Sequence, residues 1–214
     1  FFFKQKTAYE ISLGLVGAEM CIRDRAAALA TDVPVVALHL TRPPVEIPDR
    51  DALGMASHLA ASKGAYIIKD YDENRPKKGI VIVRGTSSTN SLVSILPQLK
   101  SEGPNVKVVA AISWELFQRQ SEDYRQSVIS EPEWMDAMVI TNGARRLMHK
   151  WMANRVVEEY SMSPDFDNRW RTGGSVDEII AESKLDPQSV WNGIMKFAAD
   201  REVRLSQIRK SVPA

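Results

Sequence analysis

Residues 80–83 read Ile-Val-Ile-Val, and after Arg84 the chain runs directly into Gly85-Thr-Ser-Ser-Thr-Asn90. An unbroken β-branched run of this kind reads as a strand buried on both faces, as parallel sheets require. The hydroxyl residues behind it can cap a helix that continues to about Lys100, until Gly103-Pro104-Asn105 breaks it. The same alternation recurs. Residues 33–40, 64–69, 106–112 and 136–141 are further short apolar runs. The first stops at Thr41-Arg42-Pro43-Pro44, where neither proline can donate to a ladder.

A weak helical segment lies between Arg50 and Gly64. Ser113 is placed to cap a helix over 114–120, and one helix is expected from 143 to about 160. A polar loop at 161–174 leads to two further helices. A capping box of Ser175 and Glu178 opens the first. Asp186-Pro187 opens the second, which turns basic toward Arg209 and Lys210. Strand and helix in alternation specify an α/β fold: a three-layer, open, twisted, mostly parallel sheet with helices on both faces. Right-handed crossovers would set the loops after the strands along one edge, where ligands of open α/β sheets bind.

Residues 1–25 do not fit this pattern. They lack an initiator Met, begin with three Phe, and carry an apolar run at 11–17 that Gly14 breaks. As a secretory signal this segment reads weakly, since Glu19 follows the run at once and no clean A-x-A cleavage site appears. The stretch resembles a translated sequencing-adapter read-through, so it is set aside as artefactual and expected to be disordered. It also holds Cys21, the only cysteine, so disulfides and thiolate metal sites are not expected. Lys4, Lys6, Arg23 and Arg25 against Glu10, Glu19 and Asp24 give this segment +1, which is the net charge of the whole chain. The remainder is neutral, which gives no support for a nucleic-acid or membrane-surface partner. No apolar stretch approaches the ~20 residues of a membrane-spanning helix. A globular, cytoplasmic protein is expected.

Few residues point to chemistry. Arg42 follows a strand on the ligand edge, and its planar fork suits a phosphate, although an exposed Arg most often pairs with a surface carboxylate. Residues 85–89 lie between a strand and a helix start, where an anion could sit, but they match no phosphate-loop signature and read first as a capping turn. Arg169 and Arg171 gather ahead of Ser175, more simply as contact residues in front of a cap. Asp165 and Asp167 in a polar loop read as solvated. His39, His58 and His149 have no ligand spacing, and the tryptophans at 114, 134, 151, 170 and 191 read as core or interface anchors. No catalytic residue and no metal site emerge.

The segment Ser113-Trp-Glu-Leu-Phe-Gln-Arg-Gln-Ser-Glu-Asp-Tyr-Arg-Gln-Ser-Val128 closely resembles the C-terminal domain of transketolases, where a Ser-Trp-Glu-Leu-Phe run precedes Gln-Ser-x-x-Tyr-Arg-x-Ser-Val. Pro34-Val-Val-Ala-Leu-His-Leu-Thr-Arg42 is similar to the last strand of that family's pyrimidine-binding domain, and 63–68 and 80–86 follow in family order. The resemblance divides the chain into the artefactual 1–25, the end of the pyrimidine-binding domain with its linker at 26–48, and a C-terminal domain at 49–214. It implies a C-terminal piece of a homodimeric, thiamine-diphosphate-dependent transferase that uses Mg2+ or Ca2+. Such an enzyme moves a two-carbon ketol unit between sugar phosphates. It further implies that Arg42 holds the substrate phosphate. The Gly-Asp-Gly and downstream Asn of the metal–diphosphate group, the activating Glu and the channel His residues are absent from this sequence. The chain alone is therefore expected to be inactive and to bind no cofactor by itself. Thr41-Arg-Pro-Pro44 stands where the family has Ser-Arg-Gln, and Gly85-Thr-Ser-Ser where it has Gly-Ser-Glu. The C-terminal domain of a homodimeric 2-oxo-acid (pyruvate) dehydrogenase first component, or a non-catalytic dimerisation module, are the alternatives.

Overall fold

The computed structural model describes residues 26, 27, 29, 30, 47–169, 171 and 173–211. Four strands, β1 (Ala65–Lys69), β2 (Ile80–Arg84), β3 (Lys107–Ala111) and β4 (Ala137–Thr141), form one sheet in the order β1-β3-β2-β4. β2 runs parallel to β3 and to β4. The expected strand at 33–40, with Arg42 and His39, lies outside the described residues, as does Trp170.

The apolar runs are unbroken because each strand feeds two cores at once. Val81 and Val83 point into a cluster with Leu92, Leu96, Ile194 and Phe197. Ile80 and Ile82 point the other way, toward Phe117, Val128, Met148 and Trp151. Strand side chains alternate between faces, so a sheet covered on both sides needs every position apolar. The helices α1 (Thr86–Ser94), α2 (Leu96–Ser101) and, from the tail, α8 (Pro187–Ala199) supply the first cluster. The short helices α3 (Trp114–Gln118) and α4 (Glu122–Val128), with α6 (Arg155–Tyr160), supply the second; α5 (Glu131–Met135) lies between α4 and β4.

The sheet is mixed, with β1 antiparallel to its neighbour β3. The link from β1 to β2, residues 70–79, is too short to carry the crossover of a dozen or more residues that parallel strands need. Gly64 opens β1 in the left-handed region at φ 84°, and its carbonyl accepts from Ile112 and Ser113, both at 2.9 Å. A Cβ here would stand 2.3 Å from the Phe117 nitrogen. At this edge the Tyr124 hydroxyl donates to the Ala65 carbonyl at 2.8 Å, and the register slips between Ile67 and Lys69.

Three expected helices are divided differently. The segment to Lys100 breaks at Ile95, because Pro97 sits in the first turn of α2 and has no N–H for the preceding turn. The segment 143–160 is a 3-10 helix over Arg145–Trp151, then an extended Met152, then α6, whose N-cap Asn154 accepts from Val157 N at 2.9 Å. The tail holds three helices: α7 (Val176–Glu182), α8, and α9 (Arg201–Ser211), with Asp200 ending α8 and its carbonyl accepting from Arg204 N. Ser113, the Ser175–Glu178 box and the Asp186-Pro187 start all cap as expected. Among the described residues no helix is long and apolar enough to cross a membrane.

Candidate functional site

The carboxyl ends of β2 and β4 are adjacent, and a cavity of about 430 Å³ opens beside them. Gly85, directly after β2, has φ 92° and ψ 151°, and it serves as the N-cap of α1 without any side-chain acceptor. The first turn of α1 holds no acid. Its leading amides therefore end at this edge unpartnered by a cap. Asn142, directly after β4, packs on Gly85 so closely that a Cβ there would lie 1.7 Å from Asn142 Oδ1. Ser87 and Asn142 both line the cavity.

The opposite wall comes from the loop at 161–174 and the start of the tail. Met162 N donates to the Val139 carbonyl at 2.8 Å and Thr141 N to the Met162 carbonyl at 3.0 Å. These bonds lay the loop alongside β4 and return it toward the sheet edge. Both carboxylate oxygens of Asp165 accept from Arg145 N at 3.2 Å. Asp167 accepts from Arg171 Nη1 at 3.1 Å and Nη2 at 2.9 Å, and lies 3.4 Å from Arg169 Nε. Arg169 Nη2 donates to Glu182 at 2.6 Å. The bidentate bond from Arg171 holds the Asp167 carboxyl below its ordinary value. Ile179, Ile180 and Leu185 give the cavity an apolar side.

The sequence separates residues 85–89 from the arginines at 169 and 171, yet the structure brings Ser87, Arg169 and Arg171 to one cavity. Asp165 and Asp167, expected to be solvated, are engaged by a backbone amide and by the two arginines. Asn142 and Ser183 line the cavity too and carry no motif. Position alone could have marked Asn142, since it directly follows a strand on the ligand edge. Arg42 lies outside the described residues. His58 and His149 lie on separate elements, and His149 Nδ1 is 3.0 Å from the Arg146 carbonyl. Among the described residues no group of three or more His, Cys, Asp or Glu could hold a metal ion.

A second concavity, on the far face of the sheet, is lined by Trp114, Phe117, Ile129 and Trp134 with a rim of Glu122 and Arg125. Trp114 packs edge-on to Trp151 at 4.9 Å between centroids and leans on Trp134 at 6.5 Å. Trp114 and Trp151 are thus the anchors expected of them, while the outer faces of Trp114 and Trp134 line an open groove.

Residues 64–163 match the family model of the transketolase-like TK C-terminal domain. Transketolase 7 of Craterostigma plantagineum is 41% identical over 69 residues, which covers 32% of this chain and 10% of that protein. A transketolase of Nostoc sp. is 30% identical over 130 residues, covering 58% of this chain and 18% of its own length. The chain therefore matches only about a tenth to a fifth of these relatives. Among solved structures, transketolase from Leishmania mexicana superposes with a TM-score of 0.63 at 17% identity, over 84% of this chain and 24% of that one. A transketolase mutant from Pichia stipitis gives 0.62 at 20% identity, over 86% and 24%. The mostly parallel sheet lies wholly within residues 64–163, the part of the chain that matches the transketolase-like C-terminal domain.

Proposed function

We propose that this chain is the C-terminal part of a thiamine-diphosphate-dependent transferase that moves a two-carbon ketol unit between sugar phosphates. The observation that carries this is the family match over 64–163, which contains the Ser113–Val128 motif that the structure sets as a Ser113-capped helix directly after β3. In this reading the chain contributes part of a homodimer interface, and Arg42 holds the substrate phosphate with a two-pronged guanidinium contact. Thiamine diphosphate would supply the carbanion chemistry when bound by the rest of the parent protein with Mg2+ or Ca2+. The chain carries no Gly-Asp-Gly signature of a metal–diphosphate group. In this reading the chain alone is inactive.

The test is activity of the parent protein carrying this domain, with thiamine diphosphate and Mg2+. Ketol transfer from xylulose 5-phosphate to ribose 5-phosphate is expected, and an Arg42→Gln change should raise KM for the phosphorylated substrate at least tenfold. Decarboxylation of pyruvate without ketol transfer would replace this reading with the 2-oxo-acid dehydrogenase one. Turnover by the present chain alone would overturn its assignment as a non-catalytic part.

The open groove at Trp114 and Trp134 favours a second reading, in which the domain is chiefly a dimerisation module. Deleting the domain from the parent would then abolish the dimer. If the dimer persisted and sugar-phosphate affinity fell, the interface reading would fail.

A further inference from the structure

We propose that the last helix, α9, is a releasable strap that opens as one unit from a hinge at Asp200, with the Asp136–Arg204 ion pair as its latch. Among residues 201–210 only Arg204 and Ile208 are buried. Val203 is 60% exposed, and Arg201, Glu202, Arg209 and Lys210 make the rest of the helix polar. The helix just before it differs: α8 buries Val190, Ile194, Phe197 and Ala198. Helices in proteins are held mainly by packing an apolar face. α8 has that anchor, and α9 lacks it.

A charge stands in for the missing apolar face. Arg204 donates to Asp136 Oδ1 through Nε at 2.9 Å and Nη2 at 2.7 Å, and through Nη1 to the Phe197 carbonyl. Its guanidinium lies over the Phe197 ring at 3.6 Å and the Tyr160 ring at 5.1 Å. Arg201 Nε takes Asp136 Oδ2 at 2.7 Å. Closed, the guanidinium is satisfied; half-way out, it would lose its carboxylate before it reached water. A buried charge parted from its partner is costly, so partial openings are disfavoured and α9 leaves in one step. Once it is out, hydration of both charges offsets much of the attraction given up. The hinge stays fixed on the α8 side. Asp200 N donates to the Lys196 carbonyl at 3.0 Å, and Asp200 Oδ2 accepts from the Tyr160 hydroxyl at 3.2 Å. Opening uncovers the Phe197 ring and the Asp136 carboxylate, and a partner that binds only the uncovered surface would hold the strap open.

The experiment is native-state hydrogen exchange of the full chain, read amide by amide, for the unsubstituted protein and two variants. In the unsubstituted protein the amides of residues 204–208 are expected to exchange together, faster and with a weaker urea dependence than those of β2 and β3. Ile82→Val trims the core that α8 does not supply and weakens the global fold. It should speed the β2 and β3 amides about three- to tenfold and leave those of α9 unchanged. Asp136→Asn keeps the side chain's shape and removes its charge, and it should speed the α9 amides about tenfold or more. Should that variant not fold, Arg204→Gln tests the latch by the same readout. Four results overturn the proposal: α9 amides with the urea dependence of the sheet, α9 amides that accelerate with the sheet in Ile82→Val, rates that rise smoothly toward Ser211 as in plain fraying, or α9 rates unmoved by loss of the latch. None of them depends on the activity of the parent enzyme, so this inference and the functional reading fail separately.

Discussion

Arg204 donates to Asp136 Oδ1 through Nε at 2.9 Å and Nη2 at 2.7 Å, joining the last helix to the residue that enters β4. The guanidinium is fully buried, lies 3.6 Å from the Phe197 ring centroid and also donates to the Phe197 carbonyl. Arg201 Nε meets the other oxygen of Asp136 at 2.7 Å. One carboxylate therefore balances two cations, one of them with no access to water.

Replacing Asp136 with Ala leaves Arg204 buried without a counter-charge, and a loss of about 3–5 kcal/mol is expected for such a change. Arg201, whose side chain is 28% exposed, should cost about 1 kcal/mol or less when changed to Ala. Urea unfolding of the two variants measures the difference, and equal midpoints would show that Arg204 finds another partner.

Gly85→Ala combines a left-handed backbone with a side chain placed on Asn142 Oδ1. Strain of about 1–3 kcal/mol is expected from the backbone alone. The double variant with Asn142→Gly should recover only the part due to the clash. Full recovery would mean that the backbone at position 85 is unstrained.

Asn105 is buried and closes the loop before β2: its Oδ1 accepts from Asp72 N at 2.9 Å, and its Nδ2 donates to the Asp72 and Arg75 carbonyls, both at 2.8 Å. Asn105→Ala strands these groups, and about 2–3 kcal/mol of stability should be lost. Asn105→Asp should lose at least as much, because a carboxylate cannot donate to the two carbonyls. Thermal unfolding at neutral pH ranks the three proteins.

Part of the acid sensitivity should lie in the tail. Asp167 is held below its ordinary value by Arg171, and Glu178 by the Ser175 amide and hydroxyl. A carboxyl with a lowered folded value contributes stability above its unfolded value, near 4, and loses it as pH falls through the folded one. Stability from these groups should be level from pH 5 to 8 and decline below about pH 4. Glu178→Gln should flatten part of that decline in pH-dependent urea titrations, and an unchanged profile would remove Glu178 as a contributor.

The strands were legible because their burial is two-sided: Val81 and Val83 serve one core and Ile80 and Ile82 the other, so the sequence shows a continuous apolar run. The direction of β1 does not show in that run, since apolar residues mark burial and not polarity. Only the short link at 70–79 carries that information. The break at 152–154 was masked by helix-forming neighbours, although Asn154 is a good N-cap. The cavity was hidden for a different reason. Ser87 and Arg169 are distant in sequence and meet only because Met162 is bonded beside β4.

An open rim of unpaired amides and carbonyls invites another molecule to extend the ladder, and β1 ends the described sheet in this position. Its Ala65 carbonyl is already taken by the Tyr124 hydroxyl, and its register slips before Lys69. A foreign strand would find one acceptor spent and the spacing out of step, so edge-to-edge fibre growth is disfavoured even in concentrated solution.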